Sequence, residues 1–346
     1  MIGPPNHDGT CRRELEESGT VFNSAPWAQV VASCYGFADC SVTVGDASLP
    51  LFYSQSPLFG RKLVSAVFNM YASPLYETPG ECAELVRLAR EQAARRRAQV
   101  VEIKSIRELP DEVVAEFGLL RRCRYKLSVV PLGDYATIWS RYPRNFRNHL
   151  RKSRNRSGRA TVRFERTHSR ADVRGFHDLL TRRYRNRHRM LAQPYRLFAL
   201  IAETFLRRGL GDLWVARAAD GALLGGLLLL TRGGVVTACY GASHDAHQDL
   251  SIDALLKDET IRFYAEHGYR LYDMGISSPK QTNLLFAKSR FGGLTIDLPY
   301  YYLVLDAGHV RSVDFSDGYM YLRRPFRYVP IPVAKRLSSV LVPLLN

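Results

Sequence analysis

Three apolar runs in the second half of the chain are separated by pairs of turn residues. Positions 213–218 and 222–230 are joined across Asp220-Gly221, and 235–240 follows Gly233-Gly234. Both pairs let a tight hairpin take positive φ, so the runs read as three successive antiparallel strands. The period then changes: Ile252, Leu255, Leu256, Phe263 and Tyr264 fall three to four apart, and Gly268 closes the segment. That spacing predicts an amphipathic helix with a glycine stop. Positions 270–275 return as a strand. Three antiparallel strands followed by a helical crossover to a parallel neighbour predict a sheet that splays where the strand direction changes.

The first half repeats this order. Positions 40–44 and 49–53 flank Gly45-Asp46, and 61–69 reads as a third strand. A helix is expected over 81–97 from Leu85, Val86, Leu88 and Ala89, and 99–104 is the returning strand. A supersecondary order that recurs implies duplication. The expectation is an α/β chain of two tandem lobes, each with a mixed sheet and a cleft between them: 1–132, then 133–308 carrying the cleft's chemistry, then a C-terminal tail over 309–346. In that tail, Pro330 and Pro332 argue against an early helix. Leu337, Val340, Leu341, Leu344 and Leu345, with Lys335 and Arg336 among them, suit one short amphipathic helix docked on the body or on a membrane surface.

Composition fits this plan and adds one asymmetry. A chain of 346 residues that is 46% hydrophobic can bury two cores. No apolar run reaches the length of a membrane-spanning helix, and residues 1–8 carry no secretory pattern. Six cysteines are scattered without a Cys-x-x-Cys pair, as expected for reduced thiols in a cytoplasmic protein. The formal net charge is +16, yet residues 121–190 hold 21 Lys and Arg against four acids, so the rest of the chain is nearly neutral. Within that belt Arg144, Arg147, Arg151 and Arg154 recur at helical spacing opposite Phe146 and Leu150, with Lys152 alongside. A second cluster runs through 181–189. A solvated surface is the bland reading, but a general preference for arginine would not unbalance one segment alone. A concentrated cationic face attracts polyanions.

Four segments and the tail carry a resemblance. Val21-Phe-Asn-Ser-Ala-Pro-Trp27, Ser56-Pro-Leu-Phe-Gly-Arg61, Gly268-Tyr-Arg-Leu-Tyr-Asp-Met-Gly275 and Phe286-Ala-Lys-Ser-Arg-Phe-Gly-Gly293, with Arg324-Pro-Phe-Arg-Tyr-Val-Pro-Ile-Pro-Val-Ala-Lys335, resemble the Fem (FemABX) family. These are tandem GNAT-fold transferases that build peptidoglycan cross-bridges from aminoacyl-tRNA, and the nearest likeness is to the short members encoded near exopolysaccharide and exosortase systems. The chain has no long paired-helix arm in its second half, unlike some bridge-building members. The resemblance implies an acyltransferase with an aminoacyl-tRNA co-substrate and an amine-bearing, anionic acceptor from the cell wall, a polysaccharide pathway or natural-product synthesis. A peripheral position at the inner membrane face is compatible with it.

The resemblance places the family lysine at Lys288, where a fixed cation stabilises the oxyanion of acyl transfer. Asp273 ends an apolar strand, where a carboxylate must be paired. It either orients Lys288, accepts a proton from the attacking amine, or pairs structurally with backbone N–H groups. Gly275 suits a turn or a close approach, and Tyr240 either contacts the acyl group or packs in the core. His244 and His247 lack a convincing third ligand, so no metal is expected. The glycine turn that cradles acyl-CoA pyrophosphate in many GNAT enzymes has no counterpart: 244–253 holds no glycine and carries Asp245, Asp249 and Asp253. Acyl-CoA is therefore the alternative donor. The alternative of another class is a catalytically idle GNAT-fold scaffold that binds an anionic polymer or membrane.

Overall fold

A computed structural model of the chain describes residues 7–57, 59–68, 70–306, 326 and 328–345. The described residues group into two compact units, one within 7–127, 296–306 and 340–345, the other within 128–295 and 326–339.

The first unit opens with α1 (His7–Ser18) and α2 (Ala25–Tyr35). The Ser24 side chain accepts from the Trp27 N–H and Pro26 sits in the first turn of α2, so the Ser-Ala-Pro-Trp motif is a helix start. Strands β1 (Ala38–Asp39), β2 (Val42–Val44), β3 (Ala47–Leu49), β4 (Phe52–Ser56) and β5 (Gly60–Val64) follow. Helix α3 (Pro79–Arg95) starts on a capping box of Thr78 and Glu81 and buries Cys82, Leu85, Val86, Ala89 and Ala93. Next come β6 (Val100–Lys104), α4 (Asp111–Glu116) and β7 (Leu120–Pro131), in which the chain passes to the second unit. The single strand expected over 49–53 is broken at Pro50, whose missing N–H cannot join a ladder. Leu49 ends β3, which pairs with β2 across Gly45-Asp46 and bridges to Leu75 through Ser48, and Phe52 opens β4 in a different sheet. The third strand is shorter than 61–69, ending at Val64.

The second unit contains α5 (Tyr135–Arg141), α6 (Arg144–Arg159), β8 (Arg163–Thr167), α7 (Arg170–Arg183), α8 (Tyr195–Thr204), β9 (Gly211–Arg217), β10 (Leu223–Arg232), β11 (Val235–Ser243), α9 (Ile252–Glu266), β12 (Leu271–Ser277) and α10 (Thr282–Ser289). Then β13 (Leu294–Val304) returns the chain to the first unit. Here the sheet runs β12-β11-β10-β9-β8. β9, β10 and β11 are antiparallel neighbours, and β12 lies parallel to β11 after the α9 crossover. In the first unit β1, β4 and β5 are antiparallel neighbours, and β6 lies parallel to β5 after α3. The duplication is present, with the β2–β3 hairpin inserted between the first two strands of the first copy. Leu229, Val236, Leu255, Ile261 and Tyr272 belong to the core of the second unit, and Leu49, Leu63, Leu85, Val101 and Tyr301 to that of the first.

Of the expected tail, 309–325 and 327 lie outside the described residues, as do 1–6 at the other end. α11 (Ile331–Leu341) contains Pro332, contrary to the expectation that the proline pair excludes an early helix. In the first turn a proline removes no intrahelical hydrogen bond. Lys335 pairs with Asp178 of α7, and Ala334 and Ser338 are buried, so this helix docks on the body. Among the described residues no helix is long and apolar enough to cross a membrane.

The Gly292-Gly293 pair is a packing requirement. A Cβ on Gly293 would stand 2.4 Å from the Val129 carbonyl oxygen and 3.0 Å from a Val130 methyl. By contrast Gly36, at φ 72°, has open space around it. Gly293→Ala should therefore lose about 3 kcal/mol by overpacking backbone, against about 1 kcal/mol for Gly36→Ala. Urea midpoints at unchanged m-value check the ranking, and equal losses would contradict it.

Candidate active site

β11 and β12 pair only at Val235↔Leu271, Val236↔Tyr272 and Thr237↔Asp273, then part. Two local features accompany the parting. β11 bulges against β10, where Leu228 faces Tyr240 and Leu229 faces Ala238, leaving Cys239 as the extra residue. β12 turns at Gly275, whose φ of 75° suits only glycine without strain, although a Cβ there would meet nothing closer than 3.8 Å. The gap opens into a cavity of about 170 Å³. Leu227, Ala238, Cys239, Gly241, Tyr272 and Met274 line it from the sheet, and Asp253 and Lys257 from α9. Lys288 of α10 and Arg183, the last residue of α7, complete the lining.

Lys288 is the buried cation of this site, with 8% of its surface exposed. Its Nζ donates to the carbonyl oxygens of Gly275 at 2.7 Å and Ile276 at 3.3 Å. Burial pushes its pKa down to about 8, Asp273 opposes that shift by its negative charge, and Lys257 adds to it. Asp273 is fully buried, and its Oδ1 accepts the Gly275 N–H at 2.6 Å. Lys288, Asp273 and Gly275 thus converge on the end of β12. Asp273 makes the backbone contact of the structural reading and also supplies the charge that holds the ammonium. Tyr240 points to the other face of β11 from Cys239 and Gly241, and packs edge-on to Phe198 with centroids 5.1 Å apart.

Two charged lining residues, Lys257 and Arg183, are not singled out by the sequence, and Asp253 is read there only as one acid of its stretch. Asp253 Oδ2 binds Lys257 Nζ at 2.6 Å, and Asp253 Oδ1 lies 4.0 Å from Arg183 Nη1. An acid–lysine pair four apart on a helix was the available signal for Asp253 and Lys257. Arg183 was hidden in the basic run. Asp245 of the same acidic stretch pairs with Arg187 at 2.7 Å. Two of its three carboxylates therefore face cations, and the stretch repels anions less than its sequence suggests.

Helix α6 buries Phe146, Leu150, Ser153 and Ser157, and leaves Arg144, Arg151 and Lys152 exposed. Arg154, one turn past Leu150, is drawn to the buried side. It pairs with the fully buried Asp258, lies 3.3 Å from the Tyr135 hydroxyl and 3.6 Å from Glu259. Arg147 is half-buried. The four arginines therefore do not form one free face; of the expected set, Arg144, Arg151 and Lys152 are exposed. The helix nonetheless flanks the site, because Arg156 donates to the Asp249 carbonyl at 3.2 Å and Arg290, just after α10, stacks over Phe146 at 4.1 Å. His244 and His247 have ring centroids 5.6 Å apart, and among the described residues no three His, Cys, Asp or Glu side chains converge on a metal position.

Residues 144–280 match the family described as acetyltransferase (GNAT) domain. FemX aligns over 90% of this chain and 99% of its own at 13% identity, with a TM-score of 0.69. The fold is a tandem GNAT fold like that of FemX. L-PGS from Bacillus licheniformis is similar over 94% of this chain and 98% of its own, at 13% identity and a TM-score of 0.61. A tandem GNAT protein from the clavulanic acid biosynthesis pathway is similar over 86% and 95%, at 14% identity and a TM-score of 0.50. Comparison with curated proteins gives no match. The parting of β11 and β12 lies within the matched family region, and Lys288 just beyond its end.

The Lys288 environment has a thermodynamic consequence. The unfolded chain holds this proton up to the ordinary value of 10.5, the folded chain only to about 8. Between those values the unfolded state binds more protons, so this group makes stability rise with pH across the window. The stability difference between the wild type and Lys288→Met should therefore shift toward the wild type by roughly 2–3 kcal/mol from pH 7 to 10.5. Denaturant titrations of both proteins across that range measure it, and a pH-independent difference would contradict it.

Proposed function

We propose that this protein is an acyltransferase that moves an aminoacyl group from aminoacyl-tRNA to the amine of an anionic acceptor, such as a cell-wall, polysaccharide or natural-product precursor. The observation that carries this reading is the buried Lys288 ammonium beside the cavity where β11 and β12 part. In the reaction the acceptor amine attacks the ester carbonyl, the carbonyl oxygen gains negative charge, and collapse breaks the ester C–O bond, the proton lost by the amine ending on the departing ribose oxygen. Two carbonyls hold the ammonium in place, leaving its third N–H for the developing oxyanion. Asp273 is engaged with the Gly275 amide, which favours its positioning Lys288 over accepting the amine's proton.

A lysine buried beside a cavity is costly and gives a scaffold nothing that an apolar residue would not, which disfavours the idle reading. For the donor, the exposed Arg144, Arg151 and Lys152 on a helix flanking the site suit a polyanion. The likeness to FemX supports the same choice, and acyl-CoA remains the competing donor.

Transfer from labelled aminoacyl-tRNA and from labelled acyl-CoA, run side by side, tests the reading. Lys288→Ala should lower turnover by about 10²–10³ with the fold intact; near-normal turnover would remove the lysine from the mechanism. Affinity for tRNA should fall at least about tenfold from 50 to 200 mM salt if two phosphates are engaged. Replacing Arg144, Arg151 and Lys152 together by Ala should flatten that slope. A shallow slope combined with tight, saturable acyl-CoA binding would make acyl-CoA the donor.

A further inference from the structure

Arg183 holds a charge that the fold does not use. Its one ion-pair partner among the described residues, Asp253, lies 4.0 Å away and is already bound by Lys257 at 2.6 Å. Around the cavity the charges pair off unevenly: Lys257 with Asp253, Lys288 with the charge of the buried Asp273, and Arg183 only with the Asp253 that Lys257 already holds. Arg183 is also held inward, with only 25% of its side chain exposed. The chain passes directly from it into a π turn, Tyr184–His188, and then into Arg189 at φ 54°. Arg187 in that turn is pinned to Asp245. Such turns interrupt an ordinary helix at a cost and recur at functional sites. A half-buried guanidinium beside a cavity, with one positive charge in excess, calls for an anion of one charge.

We propose that Arg183 is a specificity residue that binds a substrate carboxylate through its planar fork, with Lys257 as the second cation of the subsite. The inference rests on the acyltransferase reading of the same cavity and adds the substrate class. Because Arg183 and Lys288 line one cavity of about 170 Å³, the carboxylate lies only a few bonds from the reacting carbonyl. Two sources share that chemistry: an acyl group with a second carboxyl, or an amino-acid acceptor. A planar guanidinium meets a carboxylate with two parallel hydrogen bonds, which neither a lysine nor a neutral amide reproduces.

Calorimetric titration of the full chain tests this without any turnover assay, so its failure is separable from failure of the acyltransferase reading. The probes are monomethyl succinate for the acyl side and β-alanine for the acceptor side, with dimethyl succinate and β-alaninamide as uncharged-carboxyl controls. At least one carboxylate should bind saturably while its control does not, and the one that binds names the source. Arg183→Gln should weaken that binding at least about tenfold, whereas Arg182→Gln, at the exposed neighbouring position, should leave it unchanged. Arg183→Lys should fall between, since it keeps the charge and loses the fork. Binding of neither carboxylate, equal binding by Arg183→Gln, or preferential binding of dimethyl phosphate over both carboxylates would overturn the proposal.

Discussion

A positive charge kept out of water at the end of one strand organises the second unit's site. Lys288 can be buried because two carbonyls accept from it and the Asp273 carboxylate lies close enough to offset its charge. Those carbonyls are presented by a strand that turns at Gly275, the position where the left-handed conformation requires a glycine. Asp273 in turn holds the amide of that same glycine. Acid, turn and lysine therefore form one arrangement, and the room for a substrate exists because β12 stops following β11 at that point.

The first unit shows another arrangement at the end of its own parallel pair. There the parallel pair β5–β6 ends its register at Val64↔Glu102, as β11–β12 ends at Thr237↔Asp273. An acid again occupies the last paired position. Beyond it the Ser65 N–H donates to the Glu102 carbonyl, the Ser65 hydroxyl accepts from the Lys104 N–H, and Lys104 Nζ donates to the Phe68 carbonyl and lies 3.4 Å from Glu102. Ser65, Ala66 and Val67 are fully buried. Duplication supplied the same strand order twice, but here the last acid and its neighbouring lysine are tied to buried chain that follows β5.

Much of this was legible in the sequence because the second unit's turns are written in glycine pairs and its helix in clear periodicity. The first unit was harder for a local reason: Pro50 splits an apolar run into strands of different sheets, and the true outer strand, Ala38–Asp39, is too short to leave a pattern. Asp273 could be nominated because a carboxylate at the end of an apolar strand must be paired, and Lys288 because the resemblance places the family lysine there. Arg183 could not, since a run of nine residues with five arginines gives no sign of which one turns inward. The same limit applied to Arg154, whose burial depends on Asp258, a partner more than a hundred residues away in sequence.

The charge state of Lys288 is the point on which the account stands or falls. Lysine residues labelled with ¹³C at the carbon next to Nζ report their own titration by NMR, and Lys288→Ala assigns the signal. The account predicts that the signal missing from the variant titrates at about 8, well below the ordinary 10.5. A Lys288 signal titrating near 10.5 would contradict it, because the ammonium would then be solvated rather than buried beside the cavity.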